Sequence, residues 1–389
     1  MNKIEELIEQ LCPDGVKSKG LIDLAKISTG KLNANAMIEN GLYPFFTCSE
    51  KPYKIDKFAF DTEAILISGN GSQVGHINYY KGKFNAYQRT YVLFDFDRSI
   101  NVKFMLYCLK GSLKEYILKN VNEGSVPYIT LPMLQNFQIP IPPLPIQQEI
   151  VSILDKFTQL EAELEAELEA RRAQYEYYRN ELLNFEGKEV EWKTMGEVGQ
   201  FVRGRRFVKD DIIAEGIPCI HYGEMYTHYK IWAKKAKSFL DPALAAKLRV
   251  AHPGDVIIVS AGETIEDIGN GVAWLGDSDI VIHDACFTYS HSLNPIYVSY
   301  YLQTNLFRSQ IKKYISSGKI SSINAPGLSK ARIPIPSLAE QERIVGILDK
   351  FDSLVNDISV GLPAEIQARR KQYEYYRGKL LDFKSNSNG

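Results

Sequence analysis

Asn294, Pro295, Ile296 and Tyr297 are the nearest this sequence comes to a reactive constellation. Adenine methyltransferases use an N-P-P-Y/F run whose Asn and backbone carbonyl hold the amino group. Here the second Pro is missing and no Gly-rich nucleotide loop follows a strand. An Asn N-cap with Pro at the first helical position accounts for the four residues better. The stretch Ser68, Gly69, Asn70, Gly71, Ser72 lacks the G-x-x-x-x-G-K-[ST] spacing of a phosphate loop. It has two readings: a hairpin turn in which Gly and Asn supply positive φ, or a small-residue loop whose amides approach a phosphate. Ser260 to Thr264 (SAGET) is its counterpart in the second half of the chain. Glu191 and Lys193 form an isolated E-x-K with no upstream Asp in strand context, so nuclease chemistry is not indicated. His221, His228, His252 and His283 have no metal-ligand spacing and read as ordinary surface or core histidines. Cys12, Cys48, Cys108, Cys219 and Cys286 lie far apart with no C-x-x-C pair, which reads as buried thiols.

A second kind of chemistry, reading polar edges, needs donors and forks in loops near strand ends. In the first half Lys81, Lys83, Tyr87, Gln88 and Arg89 qualify, Gln and Arg having the bidentate geometry that suits adenine and guanine. In the second half Arg203, Arg205, Arg206 and Lys209 form the densest basic cluster, and Lys319 and Ser321 follow a glycine. Ser68, Asn70 and Ser72, with Thr264 of the counterpart, complete the candidate set for contacts of this kind. Each of these residues taken singly has the plainer reading of a solvated surface group.

The elements that must carry these residues come in two copies. IPIPPLPIQQEIVSILDKF (139 to 157) recurs as IPIPSLAEQERIVGILDKF (333 to 351), an offset of 194. ARRAQYEYYR (170 to 179) recurs as ARRKQYEYYR (368 to 377), an offset of 198. Weaker echoes align Gly124 with Gly318, Ile129 with Ile323, and VKSKGLIDL from Val16 with VEWKTMGEV from Val190. Both strong copies read as long helices. Ile150, Ile153, Phe157, Leu160, Leu164, Leu168, Tyr175, Tyr178, Leu182 and Phe185 make a three-four stripe in the first. In the second, Ser337 and Glu340 suit a capping box, and Ile344, Ile347, Phe351, Leu354, Ile358, Tyr373, Tyr376, Leu380 and Phe383 continue the stripe. Such stripes predict a coiled-coil seam. Gly361 and Pro363 predict a helix that ends at Gly361 and restarts with Pro363. Between the helices, AILIS (64 to 68), TYVLF (90 to 94), DVIIV (255 to 259) and DIVIH (279 to 283) read as strands, and Lys103 to Lys119 and Ile296 to Ile315 as helices.

The predicted fold is α+β. Two similar mixed α/β globules, residues 1–145 and 187–337, alternate with helical regions at 146–186 and 338–385, and a short tail covers 386–389. With 389 residues, 45% hydrophobic and 24% charged, the chain has globular proportions and room for more than one domain. Its 46 basic and 47 acidic side chains give no overall sign of a nucleic acid partner. The regional balance differs: residues 1–145 carry 16 basic and 14 acidic groups, 187–337 carry 18 and 15, and 146–186 carry 4 and 10. Weakly basic globules thus alternate with an acidic rod that should avoid phosphates and face protein or solvent. No apolar run reaches membrane-spanning length, and the start, MNKIEELIEQL, is an amphipathic acidic pattern and not a signal peptide. The expectation is a soluble, cytoplasmic protein with no membrane partner.

The two copies of ILDKF, the two ARRxQYEYYR runs followed by ELLNF (181 to 185) or KLLDF (379 to 383), LPAEIQARR (362 to 370) and the two-globule spacing resemble the DNA specificity subunit of type I restriction–modification enzymes, over essentially the whole chain. The resemblance implies a pseudo-two-fold internal repeat in which the two long helices pack as an antiparallel coiled coil. Each globule would be a target recognition domain reading one half of a split site in double-stranded DNA. It also implies a subunit with no catalytic activity and no cofactor of its own. Two methylation subunits would bring S-adenosylmethionine, and two restriction subunits would bring ATP and Mg. Tyr177, Arg171, Arg172 and Arg179, with the copies Tyr375, Arg369, Arg370 and Arg377, would face a methylation subunit, since interfaces favour Tyr and Arg. The alternative is a coiled-coil scaffold whose globules bind protein.

Overall fold

A computed structural model describes residues 2–120 and 127–384; Gly124 and the 386–389 tail lie outside them. The chain divides into two compact units, Met1–Glu165 together with Glu365–Gly389, and Ala166–Ala364. Each unit holds one globule and part of both helical regions.

In the first unit a six-stranded sheet runs in the order Lys26–Thr29, Thr90–Phe94, Phe60–Ser68, Ile77–Ala86, Tyr43–Phe46, Tyr53–Ile55. All neighbours are antiparallel except Tyr43–Phe46 against Ile77–Ala86. Strand alternation puts Ile65, Ile67 and Leu93 on the face that packs against helix Val102–Lys119, and Ala64, Leu66 and Val92 on the other, with Phe46 and Phe84. The helix starts where the Asn101 side chain accepts the N–H groups of Lys103 and Phe104.

In the second unit one five-stranded sheet has the order Gly199–Arg203, Cys286–His291, Val256–Val259, Gly271–Trp274, Trp232–Ala233. A second has Ile212–Ile213, Ser238–Leu240, Ile217–Ile220, Ile280–Ile282, Val250–Ala251. The single helix expected over 296–315 is two, Pro295–Leu302 and Asn305–Lys312, because the Thr304 hydroxyl caps the N–H of Phe307 and starts a new helix. Asn294 caps the N–H groups of Ile296 and Tyr297, so the NPIY run is a helix start.

The internal repeat is structural. Strand Ser18–Gly20 pairs with Gln138–Pro140 in the first unit, and Glu191–Thr194 pairs with Arg332–Ile335 in the second. Gly75 (φ +78°) leaves no room between its backbone and Ile117, just as Gly269 (φ +85°) leaves none beside Ile311. The Asp of each ILDKF holds a tyrosine of its own globule: Tyr107 Oη donates to Asp155 at 2.6 Å, and Tyr300 Oη to Asp349 at 2.6 Å.

Helix Leu144–Leu182 is continuous, whereas its copy is broken into Leu338–Asn356 and Leu362–Leu381. The break comes earlier than expected. The first segment ends at Asn356, five residues before Gly361, where Asp357 caps the N–H of Ser359 and accepts the N–H of Gly361 at 3.0 Å. A Cβ on Gly361 would stand 2.4 Å from the Ser353 carbonyl. Ile358 therefore leaves the seam and is 71% exposed, while Val355 is buried in its stead. The two motifs pack on each other, antiparallel. In the first unit Phe157 stacks on Tyr376 at 5.6 Å and Arg370 bridges Glu161 and Glu165. In the second, Phe351 stacks on Tyr178 at 5.4 Å and Tyr175 Oη donates to Asp352 at 3.2 Å. Aromatic pairs of this kind contribute about 0.5–1.5 kcal/mol beyond area burial.

Candidate nucleic-acid interface

In the second unit, three segments chosen separately from the sequence meet in one open cleft of about 820 Å³. Arg206 and Lys209 come from the basic cluster, Ala261, Gly262 and Glu263 from the SAGET stretch, and Lys319 from the loop after Gly318. The short ladder of Ala261–Gly262 with Ser321–Ser322 brings the last two together. That ladder corrects one candidate: Ser321 is 3% exposed, so its backbone shapes the cleft and its side chain does not reach out. Thr264 is exposed beside Glu263. Arg203 Nε donates to the Asp284 carbonyl at 2.8 Å and Arg205 Nη1 to the Lys247 carbonyl at 2.7 Å. Both remain exposed cations, held flat against their own globule. Arg206 and Lys209 make no salt bridge among the described residues.

The cleft wall holds residues the sequence reading passed over. Phe207, His221, Tyr222 and His283 form a cluster with ring centroids 4.7–5.9 Å apart. His283 Nδ1 accepts the N–H of Ala285 at 3.1 Å, so that nitrogen is unprotonated and the nearby Asp284 carboxylate is not an ion-pair partner. Burial holds the imidazoles of both His221 and His283 below the usual histidine range, against the pull of Glu224 and Asp284. Metal-ligand spacing was the wrong signal for these histidines; aromatic residues at separated positions gave none until the chain folded.

In the first unit the corresponding convergence is at one end of the sheet. The backbone equivalence is direct: Ile129 N–H bonds to the Gly69 carbonyl at 2.8 Å, and Ile323 N–H to the Ser260 carbonyl at 2.9 Å. The Gly-rich stretch is a turn between two sheet strands with Gly71 at φ +83°. Gly69 N–H bonds to the Arg89 carbonyl at 2.9 Å, and Cys48 Sγ lies 3.2 Å from Asn70 Oδ1. Cys48 also approaches the Arg89 carbonyl at 3.4 Å, so Asn70 stands beside Arg89 and its neighbour Gln88, both exposed, whereas the exposed Ser72 lies farther along the turn, near Lys110 and Lys114. Ser68 is corrected: it is 2% exposed, inside the sheet. Lys81 and Lys83 are also corrected. They stand in the interior of strand Ile77–Ala86, opposite Glu63 and Asp61, because the strand continues through residues whose polarity had suggested a loop. Cys48 and Cys12 are partly exposed; Cys108, Cys219 and Cys286 are buried.

On the helices, Tyr177 is 62% and Tyr375 63% exposed. Arg171 and Arg369 make matching bonds along the helix, to Glu167 and Glu365 at 2.7 Å each, and Arg172 lies 3.4 Å from Glu169. Arg179 turns inward, its Nη1 donating to Gln303 at 3.1 Å, and Arg377 lies over Tyr373 at 5.2 Å. Arg370 is committed to two glutamates. Tyr177 and Tyr375 are thus exposed tyrosines with no polar partner among the described residues, and Arg172 and Arg370 are exposed arginines of the same helices.

Residues 13–170 and 187–368 match the type I restriction modification DNA specificity domain. The chain belongs to that family. The two matched stretches give it two specificity domains in one chain. It is 32% identical over 369 residues to the type I restriction enzyme EcoR124I/EcoR124II specificity subunit of Escherichia coli, covering 83% of this chain and 87% of that one. It is 29% identical over 400 residues to a putative type I restriction enzyme specificity subunit of Haemophilus influenzae, covering 98% of each. Among solved structures, a chain from work on complex assembly and conformational transition of the type I R-M system matches with a TM-score of 0.66 at 15% identity, covering 95% of this chain and 98% of that one. The S subunit of a type I system from M. genitalium matches with a TM-score of 0.53 at 16% identity, covering 94% and 96%. At these identities the structural likeness bears on fold alone, and the fold is that of type I specificity subunits. Among the described residues of this specificity subunit, no cluster of three His, Cys, Asp or Glu is arranged for a metal, and no helix is long and apolar enough to cross a membrane.

Proposed function

We propose that this chain reads a split target in double-stranded DNA, one half with each unit, and performs no chemistry itself. The observation that carries the reading is the meeting of Arg206, Lys209, Gly262 and Lys319 in one cleft, repeated in kind by Asn70, Gln88 and Arg89 in the first unit. Exposed cations beside small residues suit phosphate contacts that set register, and amide and guanidinium forks suit base edges. The helices, with Tyr177, Tyr375 and Arg172 exposed, would hold two methylation subunits, and two restriction subunits would join that assembly. S-adenosylmethionine, ATP and Mg would belong to those partners, in the cytoplasm.

The test is sequencing of methylated DNA from cells making the chain with its methylation subunits. A two-part motif that changes when the chain is exchanged supports the reading. Methyl transfer by the purified chain alone with S-adenosylmethionine and DNA would refute the division of labour.

A further inference from the structure

We propose that His221 and Tyr222 read base edges in the half-site bound by the second unit. The inference rests on the reading of that unit's cleft as a DNA-contacting surface and names the residues that give it sequence preference.

The four rings of the cleft wall are not alike. Phe207 is 2% and His283 8% exposed, so these two are the buried backing. His221 and Tyr222 are partly exposed and line the opening between Arg206, Lys209 and Lys319. Their polar tips are free: neither His221 Nε2 nor Tyr222 Oη has a hydrogen-bond partner among the described residues, whereas a buried tyrosine such as Tyr289 bonds the Met195 carbonyl at 2.9 Å. Both residues line the cleft, so those groups are open to a ligand that enters it.

The backbone beneath them is held rigidly. Glu224 is buried, accepts the N–H of His221 at 3.0 Å through Oε2 and the hydroxyl of Ser238 at 2.5 Å through Oε1. His221 Nδ1 in turn accepts the Gly223 N–H at 3.3 Å, which leaves the ring proton on Nε2. His221 therefore presents one fixed donor into the cleft, and Tyr222 a hydroxyl beside it. A fixed donor selects acceptors: guanine N7 and O6, adenine N7 and thymine O4 in the major groove, and rejects the amino groups of cytosine and adenine. The flanking cations carry no such information, since phosphates are the same at every step.

The test is sequencing of the DNA methylated by the assembled chain and methylation subunits, wild type against His221→Ala, His221→Gln and Tyr222→Phe. His221→Ala is expected to relax base preference about ten-fold at one or two positions of a single half-site, leaving the other half-site unchanged as an internal control. His221→Gln keeps a side-chain N–H and should retain or shift the preference at the same position. Tyr222→Phe removes only a hydroxyl and decides the matter if the alanine variant does not assemble. An unchanged motif in all variants that assemble, or an equal loss of methylation at every base of both half-sites, would overturn the inference. Failure of the wild-type complex to methylate any split motif would sink the DNA-reading function itself, a separate outcome.

Discussion

The buried side-chain carbonyl of Gln147 accepts the backbone N–H of Asn101 at 2.7 Å. Its amide donates to the carbonyls of Pro142 at 2.7 Å and Ser99 at 2.9 Å. Gln341 stands in the same relation to Asn294, at 2.9 Å, and to the Pro336 carbonyl, at 2.8 Å. Each glutamine thus fastens a long helix to the start of a helix in its own globule. Replacing Gln147 or Gln341 by Leu leaves a buried N–H and at least one buried carbonyl unpaired, at about 1–3 kcal/mol for each group. Hydrogen exchange should show the loss locally, in Val102–Lys119 for Gln147→Leu and in Pro295–Leu302 for Gln341→Leu. Unchanged protection in both would contradict the role.

Arg206, Lys209 and Lys319 should carry much of the salt-dependent binding of the second unit. Replacing all three with Ala is expected to lower DNA affinity and to flatten the slope of log K against log salt by up to about 0.9 for each phosphate that is no longer neutralised. The pair Lys81→Ala and Lys83→Ala should have a smaller effect, because Glu63 and Asp61 face those lysines across the strand. Fluorescence anisotropy over a salt series, with the methylation subunits present, compares the two.

Tyr177 and Tyr375 are large, exposed and backed by Tyr178 and Tyr376 at 5.4 and 5.3 Å. Replacing either with Ala should leave the melting temperature within a degree or two and weaken capture of a methylation subunit, by about 1–2 kcal/mol if the residue is an interface anchor. Analytical ultracentrifugation of mixtures would show it as a lower-mass complex. A complex of wild-type mass at every concentration would count against those tyrosines.

Burial drives the imidazole of His291 down to about 4, and its Nε2 is enclosed without a partner. The group is neutral when folded and titrates near 6.5 when unfolded, so between those values the unfolded chain binds the extra proton. Stability contributed by this site is therefore full above about pH 6.5 and falls as pH drops toward 4, by about 3 kcal/mol in all at about 1.4 kcal/mol per unit. Urea unfolding from pH 7 to 4.5 should show this slope reduced in His291→Gln.

The repeat, the two long helices and the alternation of globule with rod were legible in the sequence, because a helix writes its packing face at three-four spacing and a duplicated motif needs no folding to be seen. The Asn294 cap was legible for the same local reason. Contacts between distant positions were not. Phe157 finds Tyr376, and Phe351 finds Tyr178, only because the two motif copies run antiparallel. Ser68 and Ser321 are polar residues that the sheets bury, and Lys81 and Lys83 acquire acidic neighbours from another strand. The cleft joins positions 206, 221, 262, 283 and 319, and His221 gains its fixed tautomer from the Gly223 backbone N–H, while the buried Glu224 holds its main chain. Local pattern determined which elements form; the crossing of strands and loops far apart in the chain decided which side chains share a surface, since proximity and burial are properties of the packed chain and leave no periodic trace in the sequence.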